Sequence, residues 1–227
     1  MIPATCVDDF WDDPDFIRDY ALSLDFEEPS IKVNFPGERT KSLHLIDKKF
    51  YDLSMERLMT LFFDDLSDVT WQADIHFQKI YPYHDERNHL MNTGWPHLDS
   101  NTFFAAVVYL NKDTHLDSGT TILHPKSGYE YLNQYSQLTG KDINMRNDLY
   151  HNLDVDQDLY EKTLHKHNNR FDVTLEFKNR YNRLVAYNGR TWHRESNFCV
   201  PEEFRLTQIF FINKIDGNAP LKRLGHY

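Results

Sequence analysis

"HLDSNTFFAAVVYLN", residues 97–111, joins a His-x-Asp pair to a long apolar run of strand-forming residues. On an extended chain, residues two apart project to the same side, so His97 and Asp99 form a clamp suited to a metal ion. If the alternation runs on without a bulge, Trp95, His97, Asp99, Phe103, Ala105, Val107 and Tyr109 share one face. That aims a ligand pair and a phenol into one cavity. The tetrapeptide "HLDS" recurs at 115–118, and with 12 histidines in the chain about one His-x-Asp is expected by chance. The flanks separate the two copies. The second sits in "NKDTHLDSGTT", where Asp-Ser-Gly reads as turn chemistry, so His115 and Asp117 are expected to be structural or solvent-facing loop residues.

Two ligands need a third. Two histidines and one carboxylate on one face leave positions open for other ligands, the arrangement of non-haem Fe(II) sites. The candidate is His193 in "YNGRTWHRES", directly after the strand-like "RLVAY". Twelve residues farther on, "FRLTQIFFI" places Arg205, Thr207, Ile209 and Phe211 on one side of a strand. An arginine with a hydroxyl two residues away makes a fork for a carboxylate. Taken alone, the same residues read as a strand that opens with a surface arginine.

Outside these segments the chain divides by texture. Asp13-Pro14 is an N-cap followed by proline at the first helical position, and Phe16, Ile17, Tyr20, Ala21 and Leu24 then form an apolar helical face. A second helix is expected near 53–65, on Leu58, Leu61 and Phe62. From Trp71 onward short extended runs follow one another: "WQADIHFQKIY", "FFAAVVYLN", "TTIL", "FDVTLEF", "RLVAY" and "FRLTQIFFINKI". The polar stretch 125–170 is expected to add one or two helices, with "YEYLNQYSQLTG" ending on a glycine cap. The order predicts an α+β fold, a jelly roll buttressed by N-terminal helices. One domain spans 1–227, with a helical part over 1–68, a β core over about 71–215 and a polar insertion over about 125–170.

Composition narrows the function classes. Two cysteines, Cys6 and Cys199, exclude a disulfide framework. No apolar run approaches membrane-spanning length and the N-terminus turns acidic at once, so the expectation is a cytoplasmic protein without membrane partners. The net charge of −10 is concentrated in residues 1–28, where nine acids face Arg18 alone. By contrast, "KNRYNRLVAYNGRTWHR" (178–194) carries five bases and no acid. It is either a solvated hairpin or a local positive field for an anionic ligand.

In order, "KIYP", "HLD", "VVYLN", "DSGTTIL", "LVAYNGRTWH" and "RLTQIFF" resemble the prolyl-4-hydroxylase-like branch of the 2-oxoglutarate/Fe(II)-dependent dioxygenases, over roughly residues 71–212. "VDDFWDDPDFIRDYALSLDF" and "FPGERT" also resemble the opening of a subgroup of that superfamily. The resemblance implies a double-stranded β-helix with Fe(II), 2-oxoglutarate and O2 as cofactor and co-substrates. It implies His97, Asp99 and His193 as iron ligands and Arg205 as partner of the distal carboxylate of 2-oxoglutarate. Thr207 and Tyr109 are then hydroxyl donors to that carboxylate, and Tyr81 lies near the co-substrate. Tyr81 stands farther before His97 than is usual in the family, and the family's paired glycines after "YLN" are Ser118-Gly119 here. Because Asp99 fills the position that related halogenases leave to chloride, the resemblance favours hydroxylation.

The substrate is less legible. A small-molecule or peptide substrate fits, and peptidyl proline rests on analogy alone. Nucleic acid is disfavoured, since the related nucleic-acid demethylases carry a second arginine where this chain has Phe211. Trp95 shares the inferred inward face, whereas Trp192 is expected to face away from His193. The sequence leaves two other classes open: a cupin-like metal-binding jelly roll with an isomerase or binding role, and a non-catalytic interaction module. His84, His89, His165 and His167 read as surface residues.

Overall fold

The computed structural model describes residues 4–28, 35–99, 101–133, 136, 148–151 and 153–217. Two antiparallel sheets form its centre. The larger has the order β1-β7-β4-β9-β3-β2, from β1 (Thr5–Val7), β7 (Leu184–Asn188), β4 (Phe104–Tyr109), β9 (Arg205–Asp216), β3 (Thr70–Ile80) and β2 (Glu38–Arg39). The smaller has the order β6-β5-β8, from β6 (Phe171–Phe177), β5 (Thr120–Pro125) and β8 (His193–Glu195). Every extended run read from the sequence is a strand.

Alternation along β4 and β9 sorts the side chains into two layers. Phe104, Ala106 and Val108 join Leu206, Phe210 and Ile212 in a core closed on the outside by helices. Ala105 and Tyr109 turn the other way, with Val185 and Tyr187 of β7, to meet Ile122 and Phe177 of the small sheet. The candidate residues lie on this inner face. Burying the outer-face aromatics and aliphatics contributes roughly 1.5–3 kcal/mol for each large side chain.

The helices start where capping chemistry places them. Asp13 accepts from the Phe16 N–H at 3.0 Å and Pro14 opens α1 (Pro14–Ser23), with Ile17 and Ala21 buried. Phe16 is 58% exposed and lies outside the apolar face expected for it, its ring stacked on Tyr20. The short α2 (Leu43–Ile46) leads to α3 (Lys48–Met59), capped by Asp47. This second main helix starts and ends earlier than the expected 53–65. Leu58 and Phe62 are buried as expected, but Phe62 sits in the turn that follows.

In the polar stretch, α4 (Gln157–Asn168) is the one expected helix that falls fully within the described residues. The start of "YEYLNQYSQLTG" is a turn at 130–131, and most of the remainder lies outside the described residues. The basic segment 178–194 is partly neutralised. Asp8 pairs with both Arg180 and Arg183, and Lys178 pairs with Glu176 at 2.9 Å. Asp8 from the N-terminal segment thus offsets part of the local positive field. Among the described residues, no helix is long and apolar enough to cross a membrane.

Candidate metal centre

His97 and His193 are held face to face by the backbone. They form an isolated antiparallel bridge in which each N–H donates to the other's carbonyl, at 3.0 and 3.1 Å. One turn on, the Asp99 N–H donates to Gly189 O at 2.9 Å, so 97–99 runs beside the segment that links β7 to β8. A Cβ built on Gly189 would stand 2.1 Å from Thr102 O and 2.9 Å from Asp99 O, so only glycine permits this approach. Extended geometry then turns His97 and Asp99 to one side, as their spacing predicts.

His193 Nε2 lies 3.4 Å from Asp99 Oδ2, and His97 Nε2 lies 4.0 Å from Asp99 Oδ1. One donor atom from each of the three residues falls within 4.8 Å of the others. Donors about 2.1 Å from a common ion sit roughly 3–4 Å from one another. The tautomers also suit an ion. Each Nδ1 faces a carbonyl two residues back, Trp95 O at 2.9 Å and Thr191 O at 2.8 Å. A carbonyl only accepts, so Nδ1 carries the proton and the neutral ring presents a bare Nε2.

The charges are coupled. Burial, with His193 beside it, pulls His97 below the ordinary histidine value against the pull of Asp99. Burial also opposes the charged form of His193, but Asp99 and the Thr191 carbonyl outweigh it and raise this histidine. Burial would raise Asp99, but His193, His97 and Arg39 overcome it and lower the carboxyl. The Tyr187 ring lies 4.4 Å from that of His193, and burial raises its phenol well above the usual value.

Farther along the inner face, Arg205 is 2% exposed and its Nε donates to Ser118 O at 2.9 Å. Its guanidinium carbon stands 5.3 Å from the Tyr109 ring centroid. Burial, against the pull of Arg205, pushes the Tyr109 phenol up to about 12, so it stays a neutral hydroxyl, paired with Thr120 Oγ1 at 2.8 Å. Thr207 stands opposite Tyr109 across the β4–β9 ladder, and its buried Oγ1 has no partner among the described residues. No described carboxylate pairs with Arg205. The three form a cup with an unmet hydroxyl and an uncompensated cation, which suits a bound carboxylate.

Several expectations change on contact with the structure. The alternation from Trp95 to Tyr109 breaks after Asp99, where the Thr102 N–H donates back to Asp99 O at 2.8 Å. Phe103 is consequently 44% exposed, and Trp95 packs in a separate cluster with Met91, Tyr160 and Leu164. Trp192 does face away from the triad, packed with Leu123 and Phe171. Tyr81, expected near the co-substrate, packs on Phe204 with ring centroids 5.5 Å apart. His115 and Asp117 lie in the β4–β5 loop, with Asp117 paired to Arg87. Ser118 ties that loop together. It donates to His115 O, accepts from Asn179 Nδ2, and its carbonyl receives Arg205. His167 was expected at the surface but is buried, its Nε2 2.8 Å from Pro96 O, because α4 packs against the segment leading into the triad.

Two charged residues at the site went unread in the sequence. Glu195 lies two residues beyond His193 on β8, a spacing that places both on one face. Arg39 comes from "FPGERT", far away in sequence, and β2 pairing alone brings it to the inner face.

The fold and the site define a helix-backed pair of antiparallel sheets carrying a two-histidine, one-aspartate cluster on the inner side. The chain belongs to a family of unknown function, DUF6445, whose model matches residues 2–197. That match includes all three clustered donors and ends before Arg205. No curated protein matches the chain. Among solved structures it is similar to HygX from Streptomyces hygroscopicus, crystallised with nickel and 2-oxoglutarate. That match has 13% identity and a TM-score of 0.52, covering 92% of this chain and 82% of the other. It is also similar to EvdO2 from Micromonospora carbonacea var. aurantiaca, at 10% identity and a TM-score of 0.50, covering 97% of this chain and 91% of that one. These likenesses show the fold.

Proposed function

We propose that the chain is an Fe(II)- and 2-oxoglutarate-dependent oxygenase on a double-stranded β-helix, hydroxylating a C–H bond of a small-molecule or peptide substrate. One observation carries the reading. The Arg205–Thr207–Tyr109 cup lies on the inner face that also carries Tyr187, whose ring touches His193, an arrangement that suits a short dicarboxylate held between an ion and the guanidinium. Two solved structures of similar fold support it: HygX holds nickel, 2-oxoglutarate and, in a further structure, hygromycin B, and EvdO2 holds 2-oxoglutarate.

In this reading His97, Asp99 and His193 hold Fe(II), which with 2-oxoglutarate and O2 supplies oxidation coupled to release of succinate and CO2. The protein's own residues place and shield. The Trp95 and Thr191 carbonyls fix both imidazoles as neutral Nε2 donors. Arg205 offers a charge-assisted contact to the distal carboxylate, and Thr207 Oγ–H and Tyr109 Oη–H are the neutral donors beside it. Tyr187, Val107 and Phe211 provide apolar walls that exclude water.

The test is an anaerobic titration of Fe(II)-loaded protein with 2-oxoglutarate, followed by its visible charge-transfer absorption. A band that appears in the wild type and is lost in Asp99→Ala supports the assignment. A well-folded, iron-loaded protein that gives no band would shift the reading to a cupin-like metal site without 2-oxoglutarate turnover.

A further inference from the structure

Arg39 is the cation at the site that this chemistry leaves without a task. It stands opposite Gln78 of β3, Gln78 opposite Thr207 of β9, and Thr207 opposite Tyr109 of β4. Cross-strand partners project to the same side, so the four form one row across the inner face. The Arg39 guanidinium leans out of that row. Its carbon lies 3.8 Å from the Phe35 ring centroid and 5.4 Å from that of Phe211. Phe211 belongs to the row Phe211–Ala105–Tyr187, and Tyr187 touches His193. Arg39 therefore leans from the co-substrate row toward the metal end, and the carboxylates it senses are Glu195 and Asp99.

No carboxylate completes it. Among the described residues none lies within ion-pair distance of Arg39, and its Nε is shielded from solvent without a hydrogen-bond partner. Asp99 is committed to the metal cluster. Glu195 is turned toward Gly94, where an added Cβ would stand 2.1 Å from Glu195 Oε2. A guanidinium between two rings is weakly hydrated and its planar fork is pre-organised for an oxyanion. Burying such a cation without a direct ion pair is costly, and the acids it senses, Glu195 and Asp99, stand beyond ion-pair distance, so a bound anion would complete it.

We propose that Arg39 binds an anionic group of the substrate, a carboxylate or phosphate ester attached to an apolar or planar body that lies against Phe211. The substrate class is thus an organic anion, and Arg39 is its specificity-determining residue. Calling that ligand the substrate rests on the oxygenase reading; the anion site itself rests on Arg39, Phe35 and Phe211.

The test uses 19F NMR titration of anaerobic, Fe(II)-loaded protein, with and without saturating 2-oxoglutarate. The probes are 4-fluorobenzoate, 4-fluorophenyl phosphate and the neutral 4-fluorobenzamide. At least one anion is expected to bind about tenfold tighter than the amide, the preference to vanish in Arg39→Gln and to survive in part in Arg39→Lys. Which anion binds better identifies carboxylate or phosphate. In Arg39→Gln the anaerobic 2-oxoglutarate titration should stay within about twofold of wild type, because its carboxylate is held by Arg205. Equal binding of amide and anions, or a preference that persists in Arg39→Gln, overturns the proposal. So does a loss of 2-oxoglutarate affinity in Arg39→Gln as large as that in Arg205→Gln, which would make Arg39 a co-substrate residue. If wild type gives no 2-oxoglutarate band yet keeps the anion preference without it, the oxygenase reading fails and the anion site stands.

Discussion

Thr207→Val separates the cost of a functional group from its use. The Thr207 hydroxyl is fully buried near the start of β9, and its Oγ1 has no hydrogen-bond partner among the described residues. An unmet buried polar group costs about 1–3 kcal/mol, and valine has nearly the same shape and an equal liking for strands. The ligand-free variant should therefore be as stable as wild type or more stable, by up to about 1 kcal/mol, in chemical denaturation of metal-free protein. Co-substrate binding should move the other way. A hydrogen bond to a charged group is worth about 1.5–3 kcal/mol, so the anaerobic 2-oxoglutarate titration should weaken roughly 10- to 150-fold. Iron affinity should not change, since Thr207 offers no ligand to the triad. A variant that loses stability and keeps its 2-oxoglutarate affinity would refute the reasoning, because the hydroxyl would then have a structural partner and no place in the cup.

The two "HLDS" copies should respond differently to substitution. His97→Ala or Asp99→Ala should abolish 2-oxoglutarate turnover, whereas His115→Ala and Asp117→Ala should leave succinate formation nearly intact. Asp117→Ala should cost at most about 1 kcal/mol of stability, since its pair with Arg87 is solvent-exposed. Gly189→Ala forces a Cβ into Thr102 O and Asp99 O, so it should cost about 1–3 kcal/mol of stability and also weaken metal binding, measured by calorimetry. Acid should act through Arg18–Glu202, an ion pair at 2.7 Å with both side chains about one-fifth exposed. Burial opposes ionisation of Glu202, but Arg18 and the Asp113 N–H outweigh it and lower the carboxyl. A depressed folded value means the stabilisation is complete above the ordinary glutamate range, about pH 4.3, and is lost as pH falls through the lowered value. Arg18→Gln should flatten that acid limb in pH-dependent denaturation.

What was legible in the sequence was legible because it was local. Asp13-Pro14 and the alternating runs act within a few residues of themselves, and both produced the elements their chemistry specifies, whereas the Asp47 cap that starts α3 was not among the signals read. The clustered residues were legible where they share an extended stretch, as His97 with Asp99, or a strand, as Arg205 with Thr207. Periodicity failed where the chain leaves the ladder: the turn from Thr102 back to Asp99 sends Phe103 out to solvent, while Trp95, before that turn, packs with Met91, Tyr160 and Leu164. The polar look of His167 concealed a buried role for a similar reason, since the partner it finds, Pro96 O, lies 71 residues away.

Arg39 shows why long-range pairing matters for function as well as for fold. Nothing in "FPGERT" distinguishes this arginine from a surface residue. Its position is set by the antiparallel ladders β2–β3, β3–β9 and β9–β4, which carry it into the row of Thr207 and Tyr109. The same ladders set its direction, because Phe211 supplies the ring it leans on and belongs to the row beside the triad. With a sheet spacing of about 4.8 Å, two strands separate Arg39 from Thr207 by roughly 10 Å, enough for two anions to be held side by side without sharing a cation. In the proposal, Arg205 and Arg39 are therefore two separate anion positions on the inner face that carries the His97–Asp99–His193 cluster. A protein that had only to bind 2-oxoglutarate would need the first. The second is the position the Arg39 proposal assigns to the substrate.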